Sequence, residues 1–246
     1  MYKIEGQVAL VTGANRGIGK ALVEELLAAG ATKVYAGARN TDTLSDLMMK
    51  GGARVVPVNL DVTKPDMIEK VAAKHSDVTI LINNAGVATF EGLIAAHNGE
   101  PARLEMETNY FGPLNLIRAF APVLAANGGG AIVNLGSIAS HVNFPAVGSY
   151  SASKAAVHSL TQGARAELAA QATVVVGVYP GPVDTDMGAD FPMDKTDANV
   201  VARAILAGLE AGEEDVFPDP MSAEMHAGLL DNPKAVEKQA GEMLPG

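Results

Sequence analysis

Short apolar runs alternate with longer amphipathic stretches along almost the whole chain. Seven runs predict β-strands at residues 8–12, 33–36, 54–58, 78–82, 131–135, 174–178 and 215–217. Several of these runs are apolar throughout, which is typical of parallel strands covered on both faces. Amphipathic stretches between them predict helices near residues 18–29, 41–50, 64–75, 99–126, 149–170 and 195–211. This alternation predicts the α/β class, with a doubly wound parallel sheet and helices on both faces.

Length and composition favour one folded unit spanning residues 1–246. A chain of 246 residues fits a larger α/β domain, and 48% hydrophobic residues suffice for a large core. No low-complexity linker or internal repeat divides the chain. We expect residues 186–198 to form a short substrate lid. The tail 219–246, with a weak helical pattern at 221–230, is expected to pack on the surface or on a neighbouring subunit.

Charge and cysteine content exclude several classes of protein. The chain has 18 basic and 28 acidic side chains, a net charge of −10, and no basic run, so we expect no nucleic-acid partner. The absence of cysteine excludes disulfides and a thiol nucleophile, and the five histidines lack ligand-type spacing, so no metal is expected. No run approaches the roughly 18 apolar residues that cross a bilayer, and the N-terminus lacks an apolar signal segment, so a cytoplasmic protein without membrane contact is expected.

A glycine-rich loop lies between the first predicted strand and the first predicted helix. Residues 12–19 read Thr-Gly-Ala-Asn-Arg-Gly-Ile-Gly, and we call them the glycine loop. Gly13 suits a tight turn, Gly17 permits close approach of a pyrophosphate, and Gly19 permits close packing of helix on strand. The helix N-terminus adds free N–H groups and a partial positive charge. The loop therefore predicts a dinucleotide site, although its GxxxGxG spacing differs from the commoner GxGxxG. The other contacts predicted in it are Asn15, Arg16 and Ile18.

The end of the second predicted strand bears on which dinucleotide is bound. An acidic residue about 20 positions after the glycine loop binds the ribose 2′-hydroxyl in many such sites, but here Ala38 and Arg39 occupy that place. Guanidinium groups at Arg39 and Arg16 suit a 2′-phosphate, which a carboxylate would repel. We therefore expect NADP(H) to be preferred over NAD(H). The alternative is that both arginines are only solvated loop residues.

Three polar residues have a spacing that suits carbonyl chemistry. Ser137 follows the fifth predicted strand, and Tyr150 and Lys154 lie one helical turn apart, so that phenol and ammonium share a helix face. Together with the glycine loop, this serine and the Tyr-x-x-x-Lys pattern resemble the short-chain dehydrogenase/reductase family. The resemblance covers almost the whole chain. It also includes Asp61, the Asn-Asn-Ala-Gly stretch 83–86, Asn109, Pro180 with Gly181, and Thr185.

The resemblance implies a Rossmann-type fold and an NAD(P)-dependent oxidoreductase that acts on CH–OH groups. Tyr150 would donate the proton during reduction and Ser137 would orient the substrate oxygen. Lys154 would bond the nicotinamide ribose, and the backbone carbonyl of Asn109 would hold a relay water. An ammonium about 4 Å from the phenol would also lower the phenol pKa by up to nearly three units. The other cofactor contacts that the resemblance implies are Asp61, Val62, Asn84, Ala85, Gly86, Pro180, Gly181, Val183 and Thr185.

Some of these assignments leave alternatives open. Asp61 could instead cap the helix predicted from residue 64. Pro113 follows Asn109 closely inside a helical pattern, and it could either help to expose that carbonyl or serve only for packing. Asn83 is expected to tie neighbouring strands together rather than to touch the cofactor.

Side chains near Ser137 predict a largely apolar substrate pocket. Its candidate residues are Phe90, Ser137, His141, Val142, Phe144, Tyr150, Met187 and Phe191. We expect His141 to be a pocket-wall or surface residue rather than a catalytic base, because Tyr150 already fills that role. A short lid would leave the pocket open to bulky or varied ketones.

These inferences together predict NADPH-dependent, reversible reduction of a ketone to a secondary alcohol, with the family implying transfer of the pro-S hydride. One alternative is reduction of a 3-oxoacyl group on an acyl carrier protein. Carrier proteins are acidic, so a chain of net charge −10 does not favour their docking. An alternative of another class is a dinucleotide sensor or scaffold without turnover. Such a protein need not keep Asn109, Ser137, Tyr150 and Lys154 together. Relatives usually form dimers or tetramers through the helices predicted near 99–126 and 149–170, so a homodimer or homotetramer is expected.

Overall fold

The centre of the molecule is a parallel sheet of seven strands. A computed structural model describes residues 2–189 and 193–245. The strands of this sheet are β1 Val8–Thr12, β2 Lys33–Ala38, β3 Val55–Asn59, β4 Ile80–Asn83, β5 Gly130–Leu135, β6 Thr173–Val178 and β9 Asp215–Val216. They lie in the order β3-β2-β1-β4-β5-β6-β9. Two short strands, β7 Val183–Asp184 and β8 Thr196–Asp197, pair in parallel outside this sheet. The predicted α/β class and parallel sheet are therefore confirmed.

Helices connect the strands. Those before β5 are α1 Gly17–Ala28, α2 Ser45–Gly51, α3 Pro65–Lys74, α4 Glu100–Met106 and α5 Gly112–Ala126. Those after β5 are α6 Gly148–Leu168, α7 Ala198–Ala211, α8 Pro220–Asp231 and α9 Pro233–Ala240. Among the residues described, none of the helices combines the length and the apolar character that a bilayer-crossing helix needs.

Two hydrophobic cores lie on opposite faces of the sheet because successive side chains of a strand point to opposite sides. In β1, Ala9 and Val11 pack with Leu22 of α1 and Ile205 of α7. Leu10, between them, packs in the second core, which includes side chains of α3, α5 and α6. All three of these β1 residues are fully buried. Coverage of both faces explains why the strand sequences are apolar throughout.

The strand order places a crevice at one end of the sheet. The chain adds β2 and β3 on one side of β1, then crosses back to add β4 and β5 on the other side. The loops that leave β1 and β4 therefore diverge to opposite faces, which opens a crevice at the carboxyl ends of the two strands. The glycine loop leaves β1 at this point.

The helix predicted at 99–126 is interrupted in the structure. Residues Glu107–Phe111 form a π-helical turn between α4 and α5, and Pro113 lies in the first turn of α5. A proline fits a first turn because it lacks the N–H that an interior position would need. The helix predicted from residue 195 begins instead at Ala198, because residues 196–197 pair as β8 and Asp197 accepts hydrogen bonds from the N–H groups of Asn199 and Val200.

The C-terminal tail is helical and packs on its own chain. Asp219 begins α8 with a capping box that includes Ser222. In α9, Val236 and Ala240 are buried against Ile138 and Val142, which follow β5. The tail thus packs on the surface of its own chain, and its contact with a neighbouring subunit stays a prediction.

Candidate active site

A deep groove follows the carboxyl ends of the central strands. Its volume is about 670 Å³. The predicted residues that line it are Gly13, Asn15, Arg16, Gly17, Ile18, Gly19, Arg39, Asp61, Val62, Asn84, Ala85, Gly86, Phe90, Ser137, Phe144, Tyr150, Lys154, Pro180, Gly181, Val183, Thr185 and Met187. The structure thus brings the predicted dinucleotide contacts and the predicted catalytic side chains into one continuous space.

The glycine loop has a backbone that side chains would obstruct. Gly13 and Gly17 adopt φ of 64° and 51°, a region that residues with a side chain rarely occupy. A Cβ on Gly19 would lie 2.2 Å from the carbonyl oxygen of Gly13 and 2.4 Å from the amide nitrogen of Asn84. Helix α1 begins at Gly17 beside this bend, so its free N–H groups open toward the groove.

The residues after β4 hold the glycine loop in place through hydrogen bonds. The amide of Asn84 donates hydrogen bonds to the carbonyl oxygens of Thr12 and Gly13, at 2.8 and 3.1 Å. The hydroxyl of Thr12 in turn accepts bonds from the N–H groups of Asn84 and Ala85. The neighbouring Asn83 donates to the side chain of Asn134 on β5, which places it between strands as expected. Side chains thus fix the position of both loops that border the crevice.

Two arginines lie where an adenosine phosphate is expected. Arg39 follows β2 and is exposed along the groove. Arg16 lies across the groove mouth and pairs with Asp186 of the predicted lid at 3.2 Å, with both side chains largely exposed. An exposed pair of this kind contributes little to stability, so the guanidinium can exchange partners at small cost.

Asp61 faces the groove rather than capping a helix. Its carboxylate accepts hydrogen bonds from the N–H and the hydroxyl of Thr63, at 3.0 and 2.7 Å. The residue at the cap position of α3 is Lys64, whose side chain makes no capping hydrogen bond. Asp61 therefore does not cap helix α3, which was the alternative left open.

Ser137, Tyr150 and Lys154 meet at the inner wall of the groove. Ser137 begins a short 3₁₀ turn after β5, where its hydroxyl accepts a bond from the N–H of Ala139 and donates to the carbonyl oxygen of Pro180. The Ser137 hydroxyl also acts on the phenol of Tyr150, whose pKa it lowers. The Lys154 ammonium lies 5.6 Å from the centre of the Tyr150 ring and donates to the carbonyl oxygen of Leu135 at 2.7 Å.

The protein's own groups favour a protonated phenol. Burial raises the pKa of Tyr150 to about 12; the Ser137 hydroxyl partly opposes this rise, and the charge of Glu105, the smallest of the three effects, adds to it. Burial also lowers the pKa of Lys154 to about 8. In the protein alone the phenol pKa therefore lies above its ordinary value because of burial, and Lys154 is not among the groups that shift it. The ammonium is bonded to a carbonyl of β5.

Asn109 lies behind the groove rather than in its wall. It is fully buried in the π-helical turn, and its amide donates to the carbonyl oxygen of Val87 and the hydroxyl of Ser153, both at 2.9 Å. Its amide oxygen accepts a bond from the N–H of Val87. Its side chain thus ties the chain after β4 to α6. The π-helical turn includes Asn109, and Pro113, four residues further on, has no N–H to donate to the Asn109 carbonyl oxygen.

The loop after β6 is fixed from two sides. The carbonyl oxygen of Pro180 accepts a hydrogen bond from the N–H of Ile138 at 2.9 Å. The N–H of Gly181 donates to Asp219 at 2.7 Å, and a Cβ on Gly181 would lie 2.8 Å from that carboxylate. Asp219 is buried at the start of α8, so the C-terminal helices position this side of the groove.

The substrate end of the groove is apolar and richer in methionine than expected. Phe90, Phe144 and Met187 line it as predicted residues. Additional lining comes from Met193, Met221 and Met243, which the sequence analysis did not identify. The predicted residue Phe191 lies outside the described residues. Met243 belongs to the tail, and its carbonyl oxygen accepts a bond from the N–H of Ala146 at 2.8 Å.

His141 and Val142 do not line the groove, contrary to expectation. Val142 is buried against α9. The ring of His141 contacts those of His158 and Tyr179, each at 4.5 Å between centroids. Burial, together with the nearby His158 and His226, lowers the pKa of His141 to about 4, so the ring is neutral at pH 7. Within residues 2–189 and 193–245, no group of three or more His, Asp or Glu residues is placed to hold a metal ion.

Comparison with known proteins identifies the family. The model of the short chain dehydrogenase family matches residues 7–196. An NADP-dependent 3-hydroxy acid dehydrogenase of Schizosaccharomyces pombe is 29% identical over 93% of this chain and 96% of its own. A 3-oxoacyl-acyl-carrier-protein reductase of Escherichia coli is 32% identical over 86% of this chain and 87% of its own.

Solved structures agree with this assignment. A short chain dehydrogenase from Burkholderia cenocepacia in complex with NADP is 46% identical, with a TM-score of 0.92 over 97% of this chain and 99% of that one. A short-chain dehydrogenase from Streptomyces avermitilis is 29% identical, with a TM-score of 0.85 over 96% of each chain. The chain therefore belongs to the short-chain dehydrogenase family and is an NAD(P)-dependent oxidoreductase.

Proposed function

We propose that the protein is an NADPH-dependent carbonyl reductase that converts apolar ketones to secondary alcohols, with Tyr150 as the proton donor. The observation that carries the proposal is the meeting of Ser137, Tyr150 and Lys154 at one wall of the groove that begins at the glycine loop. The single fold unit over residues 1–246, the lid near 186–198, a homo-oligomeric state and a cytoplasmic location stay predictions from the sequence.

The residues present fit a nicotinamide dinucleotide. Gly13, Gly17 and Gly19 line the groove and present backbone rather than side chains to it. The N-terminus of α1 would receive the pyrophosphate, and Arg39 with Arg16 would receive a 2′-phosphate. Asp61 and Val62 would flank the adenine, and the chain from Pro180 to Thr185 would contact the nicotinamide. When bound, the reduced cofactor supplies the hydride that the carbonyl carbon accepts.

The remaining chemistry belongs to the chain's own side chains. The substrate oxygen would lie between the hydroxyls of Ser137 and Tyr150, which both line the groove. Tyr150 gives its phenolic proton to that oxygen as the C–O π bond is reduced, and Ser137 orients it. Because the phenol pKa is raised to about 12, the donor is protonated throughout the neutral range. Lys154 would bond the nicotinamide ribose and offset the charge left on the phenolate.

The lining of the substrate end favours bulky apolar ketones. Methionine side chains are flexible and polarisable, so a wall built from Met187, Met193, Met221 and Met243 can adapt to substrates of different shape. Phe90 and Phe144 add aromatic surface. An aryl or branched alkyl ketone would bury more apolar area here than acetone, at roughly 25 cal/mol per Å².

A substrate panel tests the proposed function. NADPH consumption is measured with acetone, an aryl ketone, a diketone, and a 3-oxoacyl group on either N-acetylcysteamine or an acyl carrier protein, and product chirality is recorded. We expect the aryl ketone to exceed acetone in kcat/KM by at least tenfold. A large preference for the carrier-bound thioester would favour the 3-oxoacyl reductase, as the Escherichia coli relative suggests. NADPH binding without reduction of any carbonyl would favour a sensor or scaffold.

The cofactor preference is tested by Arg39→Asp. Charge-assisted hydrogen bonds of a guanidinium to a phosphate are worth about 1.5–3 kcal/mol, so the variant should raise the Kd of NADPH by about 10- to 100-fold. The Kd of NADH should change little. Arg54→Asp is the matched control because Arg54 is exposed and outside the groove. Equal effects of Arg39→Asp on both cofactors would show that Arg39 does not select NADPH.

A further inference from the structure

Glu105 is a buried carboxylate that the proposed mechanism does not use. It lies in α4 and is completely inaccessible to solvent. Its two oxygens accept hydrogen bonds from the N–H of Thr89 at 2.7 Å, the hydroxyl of Thr89 at 2.8 Å and the hydroxyl of Ser149. All three partners donate, which is the pattern that an ionised carboxylate requires. In the part of the chain that the structure describes, no lysine or arginine forms an ion pair with it.

One end of this arrangement fixes a strained segment of the substrate wall. Phe90 lines the groove and has a φ of 57°, a left-handed conformation that is a genuine outlier for a bulky residue. Such a conformation costs about 1 kcal/mol or more and persists only where the surroundings determine it. Both donors of Thr89, the residue directly before Phe90, are bonded to Glu105. The Glu105 carboxylate thus restrains the backbone at Thr89, directly before Phe90 with its left-handed φ.

The other end fixes the start of the helix that carries the phenol. Ser149 is buried in the first turn of α6, directly before Tyr150. A negative charge at a helix N-terminus is favourable because it faces the free N–H groups and the positive end of the helix dipole. Glu105 therefore links the substrate wall to the first turn of the catalytic helix through one side chain.

The charge of Glu105 also acts on Tyr150. It is the carboxylate whose charge raises the phenol pKa. On the same helix, Lys154 lies 5.6 Å from the ring and is bonded to Leu135, and His158, Arg165 and Glu167 lie further along it. On the C-terminal helices that pack nearby, Glu237 and Lys238 are exposed. His158 and His226 belong to the separate cluster around His141.

We propose that Glu105 is a positioning residue of the active site: it couples the chain carrying Phe90 to the first turn of the helix carrying Tyr150. The inference rests on the proposed function for its catalytic meaning, because the placement of that helix matters to catalysis only if Tyr150 donates a proton. The hydrogen bonds of Glu105 from which the inference is drawn do not themselves require the proposed function.

The test compares Glu105→Gln with Glu107→Gln. Glutamine keeps the size of the side chain and removes the charge; its oxygen can accept from Thr89, and its amide NH₂ group donates to the Ser149 hydroxyl, which then acts as the acceptor. Glu107 lies two residues further along the chain and is exposed, which makes it a matched control. The readout is the titration of the Tyr150 phenol in protein labelled with ¹³C at tyrosine Cζ, assigned by the signal missing from Tyr150→Phe. Glu105→Gln should move this titration about one pH unit lower, and Glu107→Gln should not move it.

A third variant separates coupling from charge. Thr89→Val removes one donor to Glu105 and keeps the carboxylate, so it should raise the KM for a ketone by about three- to tenfold without moving the phenol titration. An unmoved titration in Glu105→Gln, or in Thr89→Val an equal shift or an unchanged KM, would overturn the proposal. If Glu105→Gln does not fold, Glu105→Met fills a similar space and removes both the charge and the hydrogen bonds, so it should lower the titration and raise the KM together. The titration needs no turnover, so wild-type protein that fails to reduce ketones would refute the proposed function alone.

Discussion

Gly19→Ala is expected to abolish measurable binding of NADPH and to destabilise the fold. The added methyl group would lie 2.2 Å from the carbonyl oxygen of Gly13 and 2.4 Å from the amide of Asn84, distances at which atoms overlap. Neither neighbour can move freely, because Asn84 is bonded to Thr12 and Gly13. The clash must therefore displace the glycine loop from β1 or from α1. Overpacking of this kind typically costs 1–3 kcal/mol, and the displaced backbone would no longer match a pyrophosphate.

Gly163→Ala is the matched control for this prediction. Gly163 lies in α6, has nothing within 4 Å of its added Cβ, and should tolerate alanine with a gain of up to about 1 kcal/mol from helix propensity. Thermal unfolding and the fluorescence of bound NADPH measure both effects. We expect Gly163→Ala to bind NADPH as the wild type does. A Gly19→Ala protein with unchanged affinity would show that the pyrophosphate does not lie against the glycine loop.

The sequence predicts the central sheet well because its inner strands β1, β4 and β5 are buried on both faces. Such an environment favours apolar residues, so the strands from β1 to β6 can be recognised as apolar runs in the sequence. The groove follows equally directly, since the glycine loop leaves β1 at the point where the strand order reverses. The ends of elements are less predictable. The pairing of β7 with β8 depends on two-residue segments that carry no periodic signal.

Contacts between distant parts of the chain account for the errors at the site. His141 turns away from the groove because Tyr179 and His158 provide a buried aromatic surface, and nothing local to His141 indicates this. Met243 reaches the groove only because α8 and α9 return across the chain that follows β5. The pattern Asp219-Pro-x-Ser222 does signal the start of α8, and it would have revealed a capping box.

The hydrogen-bond partner of Lys154 also depends on contacts that the sequence does not indicate. Its spacing from Tyr150 indicates a shared helix face but not where the ammonium finds its partner. The carbonyl oxygen of Leu135 accepts its hydrogen bond, and burial then dominates the pKa of the phenol. Glu105 similarly falls in a predicted helix where a carboxylate would ordinarily be exposed. Its burial depends on Thr89 and Ser149, which lie 16 and 44 residues away.

Tyr150→Phe is expected to lower kcat for ketone reduction by about 10²- to 10⁴-fold, the usual contribution of a positioned proton donor. The substitution removes one oxygen and leaves the ring to pack against Ile138 and Val147. Ser137 keeps its bonds to Ala139 and Pro180, so the wall of the groove should persist. Lys154 keeps its bond to Leu135 as well. The loss should therefore fall on the proton transfer and not on cofactor binding.

Tyr110→Phe provides the matched control. Tyr110 lies in the π-helical turn, where its ring contacts that of Phe111, and it does not line the groove. Loss of its hydroxyl should leave both kcat and the Kd of NADPH within a factor of about two of the wild type, as for surface substitutions away from a site.

The most direct measurement follows NADPH binding and single-turnover ketone reduction in the same samples of wild type and Tyr150→Phe. Fluorescence titration gives the Kd of NADPH, and absorbance at the nicotinamide band gives the rate of hydride transfer to the best ketone of the panel. We predict equal Kd values and a rate at least 100-fold lower in the variant. A Tyr150→Phe protein that binds NADPH normally and reduces the ketone at the wild-type rate would contradict the assignment of Tyr150 as proton donor.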